Sequence, residues 1–239
     1  MEDFEKNTIN PDFFQIDNVE NDNACFYRAL ANYTYFATPH DKLNLLKRFY
    51  GWGKTKDIDR VIEKYGRYSK EQDQLARFLQ RKIVKYIENN PREIIPQTGM
   101  TIEDSIQLIH DISFEEYLSY YEEFAGDINI DAELDDTDSY IDRWGSIIEQ
   151  YVISKIISCP IYVYNSQKYD KKYNKIVNGK IIKNKPEKNV RLRLTSIIGQ
   201  EYIGHKMPIF LLWREYHNNG HYLVCYPKNI SDISSIIQQ

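Results

Sequence analysis

Residues 22–29 read Asp-Asn-Ala-Cys-Phe-Tyr-Arg-Ala. Asp22 and Asn23 are preferred residues for the N-terminal cap of a helix, and the apolar residues after them have the three-and-four spacing of a helix with one buried face. The pattern predicts a helix over residues 24–36 with Cys25 in its first turn. Because the N–H groups and dipole of a helix N-terminus favour an anion, this position favours a thiolate. Cys25 is therefore a candidate nucleophile.

The turn before this helix has a second predicted use. Its backbone N–H groups, those of Asn23 and Ala24 among them, could receive the oxyanion that forms when a thiolate attacks a carbonyl. One turn would then both favour the nucleophile and stabilise the intermediate that it forms.

A cysteine nucleophile needs a histidine base, which usually lies far away in the sequence. Of the five histidines, His221 has the most suggestive setting. Residues 207–213 read as a buried strand, residues 217–220 as a turn and residues 221–226 as the returning strand. A histidine at the first position of such a strand stands at a sheet edge, a usual place for a catalytic base. His217 is close enough to be a second candidate base.

These stretches together resemble the OTU (ovarian tumour) deubiquitinases. Residues 22–29 look like the cysteine box of that family, and the His-Tyr pair at 221–222 looks like its histidine box. Between them, Asp-Arg-Trp-Gly at 142–145, an apolar helix and Cys-Pro-Ile-Tyr-Val-Tyr at 159–164 resemble the family's Trp-Gly segment, helix and Pro-Ile-x-Val-Tyr strand. The three blocks occur in the family's order and span nearly the whole chain.

The resemblance implies an α/β (α+β) fold, that of a papain-like cysteine protease of OTU type with a small central β-sheet flanked by helices. Residues 1–12 would be a leader, residues 13–228 the catalytic domain and residues 229–239 a tail or short helix. Cys25 would attack the carbonyl of the C-terminal glycine of ubiquitin, of polyubiquitin or of a ubiquitin-like modifier, and His221 would move the protons. No metal or organic cofactor is implied.

The third catalytic residue departs from the pattern. Two residues after the histidine the family commonly has Asp or Asn, because side chains two apart on a strand share a face and the acid can accept the imidazole N–H. This chain has Leu223 there. The favoured candidate for the third catalytic residue is Asp22, the motif aspartate of the cysteine box. The alternative role for Asp22 is structural: it would shape the turn before the helix. The other candidates for orienting His221 are Asp17, Glu20, Asn218, Asn219 and a backbone carbonyl; a Cys-His dyad is the remaining alternative.

Two charged segments lie between the boxes. Residues 127–142 are strongly acidic, and the simpler interpretation is a solvated loop. The functional interpretation is that Asp135, Asp136 and Asp138 receive the arginines of the ubiquitin tail. Residues 168–188 are basic, and their Asn-Gly pair predicts a hairpin whose lysines protect a sheet edge.

Periodicity predicts the remaining elements. Helices are expected over residues 69–90, after a cap at Thr101, and over residues 113–124 and 147–157. Short strands are expected within residues 13–19 and over residues 161–164 and 190–194.

The composition sets the broad class. The chain has 239 residues, of which 42% are hydrophobic and 14% aromatic, as in a single globular enzyme domain. A net charge of −4 argues against a general nucleic-acid binder. The sequence has no signal peptide and no apolar run long enough to span a bilayer, so we expect a protein without membrane attachment in the cytoplasm, or in a host cytosol. We also expect a monomer. Residue usage suits the AT-rich genome of a large virus, an intracellular bacterium or a parasite.

The cysteines support the same compartment. Cys25, Cys159 and Cys225 are too few and too scattered for a disulfide framework or a zinc site, and a thiol enzyme needs a reducing environment. Cys159 and Cys225 are expected to be core residues.

Two alternative functions belong to other classes. A lapsed enzyme would remain a ubiquitin-binding module, and Leu223 is the feature that favours it. A viral polyprotein-processing protease would instead cleave ordinary peptide bonds.

Overall fold

The computed structural model describes residues 8–17, 25–36, 70–125, 145–165, 175–177, 180–182, 191–204, 207–216, 219–229 and 233. The helices are α1 (Cys25–Phe36), α2 (Lys70–Asn89), α3 (Ile102–His110), α4 (Phe114–Ala125) and α5 (Ile147–Ile157). The strands are β1 (Thr8–Ile9), β2 (Phe14–Asp17), β3 (Ile94–Ile95), β4 (Met100–Thr101), β5 (Ile161–Asn165), β6 (Lys175–Val177), β7 (Lys180–Ile182), β8 (Leu192–Ile198), β9 (Ile209–Tyr216) and β10 (Asn219–Pro227). Short 3-10 turns cover Pro11–Phe13 and Gln200–Tyr202.

A six-stranded sheet in the order β1-β8-β5-β9-β10-β2 forms the centre of the fold. β5 and β9 are parallel, and the other neighbours are antiparallel. β10 pairs with β9 over residues 219–225, whereas β2 pairs with residues 224–227 of β10. On the β2 side, the described pairing of β10 therefore stops at Val224.

The two faces of the sheet belong to two core clusters. Successive side chains of a strand point to opposite faces. Tyr222, Val224 and Tyr226 accordingly join the cluster that includes α1, α2 and α5, while Leu223 and Cys225 join the second cluster. This architecture confirms the predicted α/β (α+β) class with a small central sheet and flanking helices.

Helix positions agree closely with the sequence patterns. The helices predicted over residues 69–90, 113–124 and 147–157 are present within one residue at each end. The side chain of Thr101 caps α3 by accepting a hydrogen bond from the Asp104 N–H at 3.1 Å. Ser146 and Glu149 form a capping box at the start of α5. The strand predicted at 161–164 is β5, and the hairpin predicted around residues 178–179 is β6 and β7.

The terminal hairpin differs from its prediction. β9 continues to Tyr216 and β10 begins at Asn219, so the turn predicted for residues 217–220 is shorter. His221 is consequently the third residue of its strand and not the first. Gly220 lies within the extended strand, and a Cβ there would lie 1.7 Å from the indole of Trp213. The glycine lets the indole cover the strand backbone.

Two residues towards the ends of the chain, Ile9 and Ile233, are buried in the second cluster. The leader predicted for residues 1–12 overlaps β1, which pairs with β8 because Ile9 is buried in the second cluster. Ile233 lies in the segment predicted as a tail or short helix, and it is buried in the same cluster. β8 covers Leu192–Ile198, extending farther than the predicted strand over residues 190–194.

Glu93 links α2 and α5 through a polar cluster. Its carboxylate accepts hydrogen bonds from the hydroxyls of Tyr86 at 2.6 Å and Tyr151 at 2.7 Å, and Lys155 Nζ lies 3.5 Å away. Burial by itself raises the pKa of Glu93. The two hydroxyls and the charge of Lys155 together outweigh burial and hold that pKa below its ordinary value.

We predict that Glu93→Gln lowers the free energy of unfolding at pH 7 by about 1–2 kcal/mol, since hydrogen bonds to a charged group are lost. A carboxyl with a depressed folded pKa stabilises the protein above its unfolded pKa, and this contribution disappears as pH falls through the folded pKa. Urea unfolding should therefore show a stability gap between wild type and variant that narrows as pH falls below about 4.3, the ordinary pKa of a glutamate side chain.

Glu103→Gln is the control for this prediction, because its ion pair with Arg92 is exposed to solvent. Its effect should stay within about 0.5 kcal/mol. A gap for Glu93→Gln that is equally large at pH 7 and pH 3.5 would contradict the account of this cluster.

Candidate active site

Cys25 is the first residue of α1 and is 4% exposed. The buried residues Phe26, Ala29, Leu30 and Tyr33 follow it at helical spacing, which explains why α1 packs against the sheet. The predicted helix start is thus present. The turn before it, with Asp22, Asn23 and Ala24, lies outside the described residues, so the roles predicted for these three stay predictions.

A backbone hydrogen bond joins Cys25 to β10. The N–H of Tyr222 donates to Cys25 Sγ at 3.4 Å, across 197 positions of sequence. In an antiparallel strand, alternate N–H groups point to the same edge. The N–H of Lys228 bonds to the carbonyl of Phe13, next to β2, so the N–H groups of the even-numbered residues of β10 face the β2 side. The N–H of Tyr222 also faces that side, two residues beyond the last described pair of β2 and β10, and Cys25 Sγ accepts it.

His221 lies beside this hydrogen bond. The Tyr222 nitrogen belongs to the peptide that joins it to His221, so Cys25 Sγ is within about 6 Å of the His221 Cα. His221 is 2% exposed, and its partner in register on β9 is Arg214, which is also buried. The structure therefore places Cys25 Sγ close to the backbone of His221.

Leu223 is a core residue. It is 2% exposed and packs in the second cluster, where its partner in register on β9 is Leu212. A leucine at this position serves the packing of that face and cannot accept a hydrogen bond from an imidazole.

The predicted orienting and substrate residues fall mostly beyond the described part of the chain. The backbone of Asp17 ends β2 opposite Val224, and the backbone of Asn219 begins β10. Outside the described residues lie the side chains of both, together with Glu20, Asn218, Asp135, Asp136 and Asp138.

A buried polar network lies next to the thiol. The Tyr222 hydroxyl donates to the Gly145 carbonyl at 2.9 Å. Gln150 Nε2 donates to the same carbonyl at 2.9 Å and to the Tyr222 hydroxyl oxygen at 2.6 Å. Sequence reasoning did not find Gln150. The available signal was an amide within the largely apolar helix 147–157.

Gly145 packs directly against Phe26, the residue after Cys25. A Cβ at Gly145 would lie 2.1 Å from Phe26 Cγ, so only glycine fits beside that ring. The Phe26 ring in turn contacts the Tyr222 ring, with centroids 5.3 Å apart. Residues from the cysteine, Trp-Gly and histidine boxes thus meet around Tyr222.

Burial controls which of the nearby groups ionise. Burial, and then the proximity of Cys25 and Glu149, raises the pKa of Tyr222 far above its ordinary value, so its hydroxyl remains a donor. Burial also raises the pKa of Cys225, although Arg214 opposes this effect. Cys225 therefore remains a neutral thiol in the core. Cys159 is buried as well, and its thiol donates to the Ile157 carbonyl at 3.5 Å.

Among the described residues, no group of three or more His, Cys, Asp or Glu side chains could hold a metal ion. None of the described helices is both long and apolar enough to cross a membrane.

Comparisons with known proteins add little to this geometry. No protein-family model matches the chain, and a search of curated proteins finds no match. Among solved structures, the chain is similar to an OTU (ovarian tumour) domain in complex with ubiquitin, at 13% sequence identity and a TM-score of 0.36. The similarity covers 94% of this chain and 81% of that one. Similarity at this level carries no functional argument.

Proposed function

We propose that this chain is a cysteine protease of OTU type. It hydrolyses the isopeptide bond at the C-terminal glycine of ubiquitin, of a polyubiquitin chain or of a ubiquitin-like modifier. The observation that carries the proposal is the hydrogen bond from the Tyr222 N–H to Cys25 Sγ, because it joins the candidate nucleophile to the strand of the candidate base. The sequence boxes that resemble OTU deubiquitinases supply the substrate class.

The proposed reaction has two halves. His221 takes the thiol proton of Cys25, and the thiolate attacks the carbonyl carbon of the terminal glycine. The oxyanion receives hydrogen bonds from the turn at Asn23 and Ala24. When the C–N bond breaks, His221 gives its proton to the leaving lysine amine and a thioester remains. His221 then takes a proton from water, the resulting hydroxide displaces the sulfur, and the carboxylate product leaves as the thiol is reprotonated.

The depth of the pair favours a slender substrate. Cys25 and His221 are both less than one-twentieth exposed, so a scissile bond must enter as an extended segment with little side-chain bulk. A tail that ends in glycine meets this requirement, since glycine has no side chain beyond its Cα hydrogens.

The orientation of His221 is assigned to Asp22 in this proposal. The Cys-His dyad is the alternative that thiol chemistry tolerates, because a thiol ionises more easily than a hydroxyl. The enzyme would act as a monomer in the cytoplasm or in a host cytosol, with ubiquitin or a relative as its partner.

We predict that wild-type protein forms one covalent adduct with ubiquitin carrying an electrophile at its C-terminus. Cys25→Ala should give no adduct, because it lacks the nucleophile. His221→Ala should react about 100-fold or more slowly, since the general base is lost. Intact-mass spectrometry over time measures all three, and Cys159→Ala is the control that should retain the wild-type rate.

Four results would count against this function. A folded wild type that gives no adduct, or an adduct that persists in Cys25→Ala, would overturn it. Tight ubiquitin binding without turnover would favour the lapsed ubiquitin-binding module, and cleavage of a plain peptide without ubiquitin would favour a polyprotein-processing protease.

We also predict that neutralising Asp135, Asp136 and Asp138 to Asn raises KM for a fluorogenic ubiquitin substrate about fivefold with kcat unchanged, because the carboxylates attract the arginines of the tail. The effect should shrink at high salt. Steady-state kinetics at two salt concentrations measure it. The control neutralises the exposed Glu88, Glu115 and Glu116 to Gln, an equal change in net charge. Identical KM values for the two triple variants would refute the role of the acidic segment.

A further inference from the structure

The Gly145 carbonyl accepts hydrogen bonds from two different elements. Gln150 reaches it from α5 and the Tyr222 hydroxyl reaches it from β10, both at 2.9 Å. Gln150 also donates to the Tyr222 hydroxyl oxygen, which closes a triangle of three buried groups. Hydrogen bonds in such a low-dielectric network polarise and strengthen one another. The triangle therefore fixes β10 relative to the start of α5.

Tyr222 connects this triangle to the nucleophile. Its hydroxyl bonds to Gly145, and its backbone N–H bonds to Cys25 Sγ. Its ring contacts the rings of Phe26 in α1 and Trp213 in β9, with centroids 5.3 and 4.7 Å away. These ring contacts restrict rotation of the side chain, so the hydrogen bond of the hydroxyl also restrains the strand backbone.

The contacts form a closed circuit. Gly145 packs on Phe26, Phe26 follows Cys25 in α1, and Cys25 accepts from the backbone of Tyr222. α1 and β10 cannot shift relative to each other without breaking a hydrogen bond or driving Gly145 into Phe26.

The amide of Gln150 needs an explanation beyond packing. Gln150 is buried, as are Ile148, Val152 and Ile153 of the same helix. Burying an amide carries a desolvation cost that an apolar side chain of the same size would avoid. Unlike an apolar side chain, the amide makes directional hydrogen bonds, and these hold the Gly145 carbonyl and the Tyr222 hydroxyl at defined positions.

We infer that Gln150 and the Tyr222 hydroxyl are positioning residues for the Cys25–His221 pair. This role deepens the proposed function and rests on it. Proton transfer and thiolate attack require the reacting groups to be held in a near-attack geometry, and small displacements are costly. The network holds the helix of the nucleophile and the strand of the base at the required separation.

Gln150→Met, Tyr222→Phe and the double variant test the inference. Each single change leaves Gly145 with one donor and should lower kcat for a fluorogenic ubiquitin substrate about 5- to 10-fold, with KM unchanged. The double variant leaves the buried carbonyl with neither donor. Its loss should exceed the product of the two single losses, as expected for groups that share one network.

Tyr33→Phe is the matched control. It also removes one buried tyrosine hydroxyl, which donates to the Pro208 carbonyl at 2.7 Å from the same helix as Cys25. Its thermal midpoint should fall as in the single variants while kcat stays at the wild-type value. A role in stability alone predicts that kcat follows the thermal midpoint in all of these proteins, and that result would overturn the inference.

A second readout needs no ubiquitin. It is the rate at which chloroacetamide alkylates Cys25 at pH 7, with the modified residue located by peptide mass spectrometry. This rate should decrease across the variants in the same order as kcat. The wild type could fail to react with the ubiquitin probe while the variants still show the predicted decrease in the alkylation rate of Cys25. That result would support the positioning network and contradict ubiquitin as the substrate. Folded variants that alkylate at the wild-type rate would overturn the positioning role, whatever the substrate.

Discussion

The N–H of Tyr222 is the constraint on which the rest of the site depends. A buried backbone N–H needs an acceptor, and the described part of β2 ends at Asp17, opposite Val224. The sulfur of Cys25 accepts this N–H, so the first helix is fixed against the last strand. Gly145 and α5 then pack against the same residue. The candidate nucleophile, the strand of the candidate base and the segment at Gly145 thus meet at one residue, Tyr222.

Most of the fold could be predicted because its helices are long and periodic. Over residues 69–90 and 147–157 the apolar pattern located the helices within one residue, and Thr101 was correctly expected to cap α3. The two-residue strands β3 and β4 were missed, because two residues cannot show an alternation. The turn at 217–220 was drawn too long, because Asn and Gly suit a turn as well as the start of a strand, and only the structure shows the pairing of Asn219 with Tyr216.

The site was predictable to the extent that its residues lie in local motifs. Cys25 and His221 were proposed from a helix start and a strand after a turn, and the structure places Cys25 Sγ next to the peptide that follows His221. Leu223 departs from the pattern of the resembled family, and its place in the second core follows from the alternation of β10. Gln150 was missed because its partners, Gly145 and Tyr222, come together only in the folded chain.

The most direct test of this account is the rate of Cys25 carboxymethylation by iodoacetate in wild type and in His221→Gln, measured from pH 6 to pH 9 with the modified residue located by mass spectrometry. A free cysteine thiol ionises near pH 8.5, so a thiol helped by His221 should retain thiolate well below that value. The account predicts that wild type reacts about tenfold or more faster than His221→Gln at pH 6, with the two rates converging at pH 9. Equal rates at pH 6 in two folded proteins would contradict it.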